Sequence, residues 1–199
     1  MPEDLAWFGS RLHHHIDPYL AIEDQQVEAL YRHFDLLLRW NRKINLTSIR
    51  SPEEMVLRHY CESLYFASHM PSDWVDFADI GSGGGFPGIP MAVYRPDWNI
   101  TLVEAHQRKA VFLREATRKL PNLCVFGDRA DKIKHSFGAI VSRAVDPADI
   151  LALAPHLGTN VGLLAGDKDF DHHVDIIAKI RLPWADSRFA VYACVQRET

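Results

Sequence analysis

Apolar positions along the chain change rhythm near residue 72, from helical spacing to short strand-like runs. From Glu23 to Trp40, the residues Val27, Leu30, Tyr31, Phe34, Leu37 and Leu38 recur every three or four positions, which predicts an amphipathic helix. A second helix is signalled at Ser51-Pro52-Glu53-Glu54: a serine N-cap, proline at the first helical position and acids in the first turn. It is expected to run through Arg58, His59 and Cys61 to about His69. Residues 1 to about 20 are polar and aromatic without a clear period and predict a short helix or arm. Met70-Pro71-Ser72-Asp73 breaks the pattern, so residues 1–72 are expected to form an N-terminal helical cap and residues 73–199 the main domain.

Beyond that break, short apolar runs alternate with helical stretches. Strands are predicted at 75–80, 100–103, 123–126, 137–141 and 162–165, with helices at 88–95, 108–120 and 147–156. Such alternation predicts a parallel α/β sheet. Two closing runs, 176–182 and 189–196, have no helix between them and predict an antiparallel hairpin at the sheet edge.

Composition narrows the class. A chain of 199 residues with 47% hydrophobic and 24% charged residues fits a soluble globular protein. No apolar run reaches the roughly 18 residues of a membrane span, and the acidic start MPEDLAWFG shows no secretory signal. Three widely spaced cysteines, Cys61, Cys124 and Cys194, fit a reducing cytoplasm. His13-His14-His15 has no metal-type spacing around it and reads as a solvated turn, and no metal site is expected. The net charge of −4 argues against nucleic-acid binding by bulk electrostatics, while leaving room for a local basic face.

The candidate chemistry sits in VDFADIGSGGGFPGIP, residues 75–90. Five glycines, Gly81, Gly83, Gly84, Gly85 and Gly88, follow a buried strand and lead into a helix. Without a Cβ, such a turn lets backbone N–H groups approach a ligand. The Lys and Ser/Thr of a P-loop are absent. The acid Glu104 ends the next strand, 23 residues after Gly81, where doubly wound nucleotide folds place a partner for ribose hydroxyls. This grammar predicts an adenosine-containing cofactor. Asp79-x-Gly81-x-Gly83-x-Gly85 favours S-adenosylmethionine over NAD, with Asp79 expected to meet the cofactor's amino acid end.

On these residues the chain resembles the small-subunit ribosomal RNA methyltransferase G family, also called glucose-inhibited division protein B. The resemblance is carried by Trp40-Asn41, Ile44-Asn45-Leu46-Thr47, His59 with Glu62-Ser63-Leu64, and the block Asp79 to Pro90 with its F-P-G-I-P extension. Leu102-Val103-Glu104, Arg108-Lys109 with Phe112-Leu113, Arg129-Ala130-Asp131, Ser142-Arg143-Ala144 and Lys168 continue it. It implies a doubly wound, seven-stranded class I (Rossmann-like) S-adenosylmethionine-dependent methyltransferase fold. It also implies methyl transfer to N7 of a guanine in the decoding-region loop of 16S ribosomal RNA, on RNA or the small subunit, by a cytoplasmic monomer. Carried over by position, the family's cofactor contacts fall on Gly81, Phe86, Ala130, Asp131 and Arg143. The chain has Glu62 and Asp131 where the family usually has Asp and Glu, and Gly166-Asp167 precedes Lys168 in place of an apolar pair.

Guanine N7 carries a lone pair and no proton, so its methylation needs alignment rather than a general base. Accordingly no nucleophile–base pair is expected, and Arg143 and His59 are positioning candidates. Arg108, Lys109, Arg129 and Lys168 are candidates for RNA contact, and Trp40 is expected in the core. Competing readings are a small-molecule methyltransferase, a dehydrogenase, and a non-catalytic ribosome-binding factor of the same fold.

Overall fold

The computed structural model describes residues 3–167 and 174–196. Lys168 lies outside the described residues. Helix α1 (Leu5–Ile16) starts where the Asp4 carboxylate accepts the Trp7 N–H at 2.9 Å. His13, His14 and His15 occupy its last turn, which corrects the solvated turn expected from the sequence. Leu12 and Ile16 are both fully buried on one face, so packing carries the helix through the histidines. Helix α2 (Asp24–Asn41) opens with a reciprocal box between Glu23 and Gln26. The next helix is not uniform. It begins as α3 (Pro52–Met55), with Ser51 Oγ accepting the Glu54 N–H, widens to a π-helical segment Val56–Cys61, and returns to α4 (Glu62–Ser68).

Seven strands follow: β1 (Asp76–Ile80), β2 (Asn99–Val103), β3 (Leu123–Phe126), β4 (Ala139–Arg143), β5 (Asn160–Gly166), β6 (Val174–Arg181) and β7 (Arg188–Val195). They form one sheet in the order β3-β2-β1-β4-β5-β7-β6. The first five are parallel, and β7 runs antiparallel to both neighbours, giving the predicted hairpin with β6 at the edge. Helices α5 (Gly88–Tyr94), α6 (Gln107–Ala116) and α7 (Pro147–Leu157) provide the crossovers. Strand β4 starts two residues later than the apolar run suggests, because the Phe137 N–H bonds the Leu157 carbonyl at 2.7 Å instead of joining the ladder. Arg143 also belongs to the strand, in register with Leu164 of β5.

Successive residues of the strands point to opposite faces, and each face has its own core. Ala78, Ile80, Ile140 and Val161 meet Ile150 and Ala154 of α7. On the other face, Phe77, Leu102, Val141 and Tyr192 join one cluster with Phe8, Phe34, Tyr60 and Phe66 of the N-terminal helices. The cap expected over residues 1–72 thus shares its core with the sheet. No helix among the described residues is long and apolar enough to cross a membrane, and no metal-type group of His, Cys, Asp or Glu occurs among them.

Candidate cofactor and substrate site

The sheet order reverses between β1 and β4, where ligands of doubly wound folds bind beyond the carboxyl ends of the strands. The glycine turn occupies that position. Gly81, Gly83 and Gly85 have φ values of +72°, +54° and +88°, a region in which L side chains are strained. A Cβ on Gly81 would stand 2.7 Å from Val145 Cγ2, across the crevice, whereas one on Gly83 would meet only a backbone oxygen at 3.7 Å. The turn therefore leaves room beside bare backbone.

Glu104 is buried at the end of β2 and ties the crevice together. Its Oε2 accepts the Gly83 N–H at 2.9 Å and its Oε1 accepts the His106 N–H at 2.7 Å. Each oxygen keeps a second lone pair, so the clamp remains compatible with accepting ribose hydroxyls. The Glu104 N–H bonds the Phe126 carbonyl at 3.0 Å, which brings the end of β3 alongside. After β3, Ala130 is half-buried and Asp131 exposed in a short 3₁₀ turn. Arg129, a candidate for RNA contact, is exposed, with Nε 3.3 Å from Asp131 Oδ1. Their spacing of two residues in an exposed turn lets them pair locally.

Two of the predicted cofactor contacts have buried side chains. Asp79 does not open to the crevice: it is fully buried behind the turn, with Oδ2 accepting the Gly88 N–H at 3.0 Å. Strand alternation turns it toward α5, and burial raises its carboxyl to about 7. Gly88 is required there, because a Cβ would lie 2.7 Å from Asp79 Oδ2. The ring of Phe86 is likewise buried under the cap, stacked on His59 with centroids 4.5 Å apart and met edge-on by Tyr60.

Two residues of the N-terminal helices that carry no sequence signal, His33 and Tyr60, hold the turn from this side. The Tyr60 hydroxyl lies 2.9 Å from His33 Nδ1, and His33 Nε2 lies 3.0 Å from the Gly84 carbonyl. With Tyr60 donating to Nδ1 and Nε2–H donating to the carbonyl, a neutral imidazole satisfies both ends. Burial agrees, lowering His33 to about 4. His59 Nε2 lies 2.7 Å from Thr47 Oγ1, and burial lowers this histidine to about 2. Burial thus favours the neutral form of both histidines.

Arg143, predicted to face a ligand, points to the cap. Its guanidinium donates to the Arg58 carbonyl and lies 3.6 Å from Glu62 Oε2. Glu62, fully buried, also receives Arg188 at 2.6 Å and Arg58 at 3.2 Å. Burial lowers Arg143 to about 10 and pushes the Glu62 carboxyl up, with each pulled back by the other. The odd-numbered residues of β4 face the cap, so Arg143 meets Glu62 by strand register. Ala144, next to it, holds φ at +62°, a strained value for a non-glycine residue. Arg108 is exposed and Lys109 half-exposed at the start of α6, and Trp40 packs on Phe112 with its indole N–H donating to Glu115 at 3.2 Å.

A family model described as rRNA small subunit methyltransferase G matches residues 26–165. The chain belongs to the ribosomal RNA small subunit methyltransferase G family. Relatives bearing that name include one from Nitrosomonas europaea, 43% identical over 136 residues, covering 66% of this chain and 63% of the relative. Another, from Nitrosospira multiformis, is 37% identical over 169 residues, covering 79% and 77%. A third, from Xanthomonas euvesicatoria, is 40% identical over 154 residues, covering 75% and 72%. The fold recurs in a ribosomal protein L11 methylase from Lactobacillus delbrueckii, at TM-score 0.52 and 13% identity over 70% of this chain and 80% of that one. Fibrillarin from Aeropyrum pernix, solved with bound S-adenosyl-L-methionine, gives TM-score 0.50 and 15% identity over 62% and 68%.

S-adenosylmethionine is the cofactor of methyltransferase G proteins, and the residues present fit it. Bare backbone at Gly81 and Gly83 meets the carboxylate of Glu104 at the glycine turn, and Ala130 and Asp131 follow in the short turn after β3. Glu104→Ala removes the clamp on Gly83 together with the carboxylate expected to accept the ribose hydroxyls. It is expected to weaken S-adenosylmethionine binding by about 2 kcal/mol, roughly 30-fold, as read by calorimetry.

Proposed function

We propose that this protein methylates N7 of a guanine in the decoding-region loop of 16S ribosomal RNA, acting in the cytoplasm as a monomer. The observation that carries the reading is the family match over residues 26–165, together with a glycine turn clamped by Glu104 at the point where the sheet order reverses. When bound, the cofactor supplies an electrophilic methyl group on a sulfonium. The protein's task is then to hold two reactants in line and to exclude water. Gly81 and Gly83 offer bare backbone beside the cofactor, and Glu104 orients the sugar. The Tyr60–His33–Gly84 bridge and the Phe86 stack keep the turn rigid from behind. Neutral, buried His33 and His59 fit a reaction in which the acceptor nitrogen has no proton to lose.

The deciding experiment supplies labelled S-adenosylmethionine to small subunits that lack the modification and maps the methylated base. Label at a guanine N7 in the decoding-region loop is the expected result. Cofactor binding without transfer to any ribosomal RNA would overturn the proposal.

A further inference from the structure

The segment Trp40-Asn41 to Thr47 stands outside the cofactor crevice, yet the structure builds it with care. Asn41 Oδ1 accepts the backbone N–H groups of Leu46 and Thr47 at 2.9 and 3.0 Å, and Asn41 Nδ2 donates to the Thr47 carbonyl at 3.2 Å. One side chain thus closes the loop that carries Lys43, Ile44 and Asn45. Trp40 seats the base of the loop on α6, through Phe112 and Glu115. The result is a cleft between cap and main domain of about 390 Å³, lined by Lys43, Ile44, Asn45, His106, Arg108 and Lys109.

Its charge is one-sided. Lys43, Arg108 and Lys109 come from two distant segments, and none of the three is paired with a carboxylate among the described residues. The nearest acid along the chain, Glu104, is occupied by the His106 and Gly83 N–H groups. Three cations facing one cleft repel each other, and two of them open a helix, where the dipole disfavours positive charge. The chain as a whole carries −4, so this concentration is local. An anion in the cleft removes the repulsion and takes up the free donors. The His106 N–H also bonds the carboxylate that clamps the glycine turn, so the cleft adjoins the crevice.

We propose that this cleft grips backbone phosphates of the RNA acceptor, with the Asn41-closed loop as the cap's half of the grip and Arg108-Lys109 as the other. The assignment rests on the RNA-methylating function proposed above. It makes the cap a part of the substrate-binding surface.

The test compares the full-length protein with a Lys43→Ala/Arg108→Ala/Lys109→Ala variant, using unmodified small subunits and a fluorescent single-stranded RNA across a salt series. The variant is expected to raise the KM for subunits at least 10-fold. Its log–log salt slope for RNA binding should fall by about 2, given about 0.7 per single-strand phosphate contact. The dissociation constant for S-adenosylmethionine and the melting temperature should not move. An unchanged KM and salt slope would overturn the proposal, as would weakened cofactor binding, which would assign the cleft to the cofactor. If the wild type methylates no ribosomal RNA but binds RNA with a slope that the variant loses, the functional reading falls and the phosphate grip stands.

Discussion

Replacing Glu62 with alanine is expected to destabilise the protein by about 3–5 kcal/mol, the usual range when one partner of a buried ion pair is removed. Glu62 is fully buried and faces Arg58, Arg143 and Arg188 from three elements: the π-helical segment, β4 and β7. Among the described residues, the only other carboxylate against these arginines is Glu54, exposed and 3.8 Å from Arg58. Without Glu62, three guanidinium groups converge on a cavity with little to offset them. Urea denaturation of wild type, Glu62→Ala and Glu62→Gln separates the two contributions, since glutamine keeps the volume and loses the charge. A loss below about 1 kcal/mol in both variants would mean that solvent, not Glu62, neutralises the cluster.

The second large effect depends on pH. Asp79 is held at about 7 by burial, against 3.8 for a free aspartate. A raised acid stabilises the fold while both states are protonated, below the unfolded value. That stability drains away as pH rises toward the folded value, because the unfolded chain releases its proton first. The group therefore contributes up to about 4 kcal/mol at pH 4 that is gone above pH 7. Asp79→Asn stays neutral throughout and has no such slope. Relative to wild type it should gain stability between pH 4 and pH 8, by an amount approaching this value. His33 and His59, lowered by burial, act in the opposite direction as pH falls, but they are common to both proteins and cancel in the difference. A constant difference across the range would mean that Asp79 keeps its ordinary acidity.

What was legible in the sequence was local. Strand, glycine turn, helix, strand and acid lie within thirty residues, so Gly81, Gly83 and Glu104 could be placed in a crevice from spacing alone. The strand hairpin at the edge was readable because no helical stretch separates its two runs. Three kinds of feature were not. Contacts across the chain leave no local mark: Glu62 meets Arg188 from 126 residues away, and His33 meets Gly84 from 51. Side-chain direction depends on the first residue of a strand, so the sequence alone does not show that register turns Asp79 and Arg143 toward the helices. The π-helical segment carries no residue signature at all; it becomes visible only when Arg58 and His59 are seen to reach Glu62 and Thr47.

The shared core of cap and sheet gives the cap a thermodynamic stake in the cofactor. Phe8, Phe34 and Tyr60 pack in the same cluster as Phe77 and Leu102, and His33 hands a hydrogen bond directly to the turn. The first helices therefore cannot detach while the turn keeps its shape. A ligand that favours the ordered turn draws the helices into the same cooperative unit. Protection of amides in α1 and α2 from hydrogen exchange should accordingly rise with cofactor concentration, although no atom of either helix need touch the ligand.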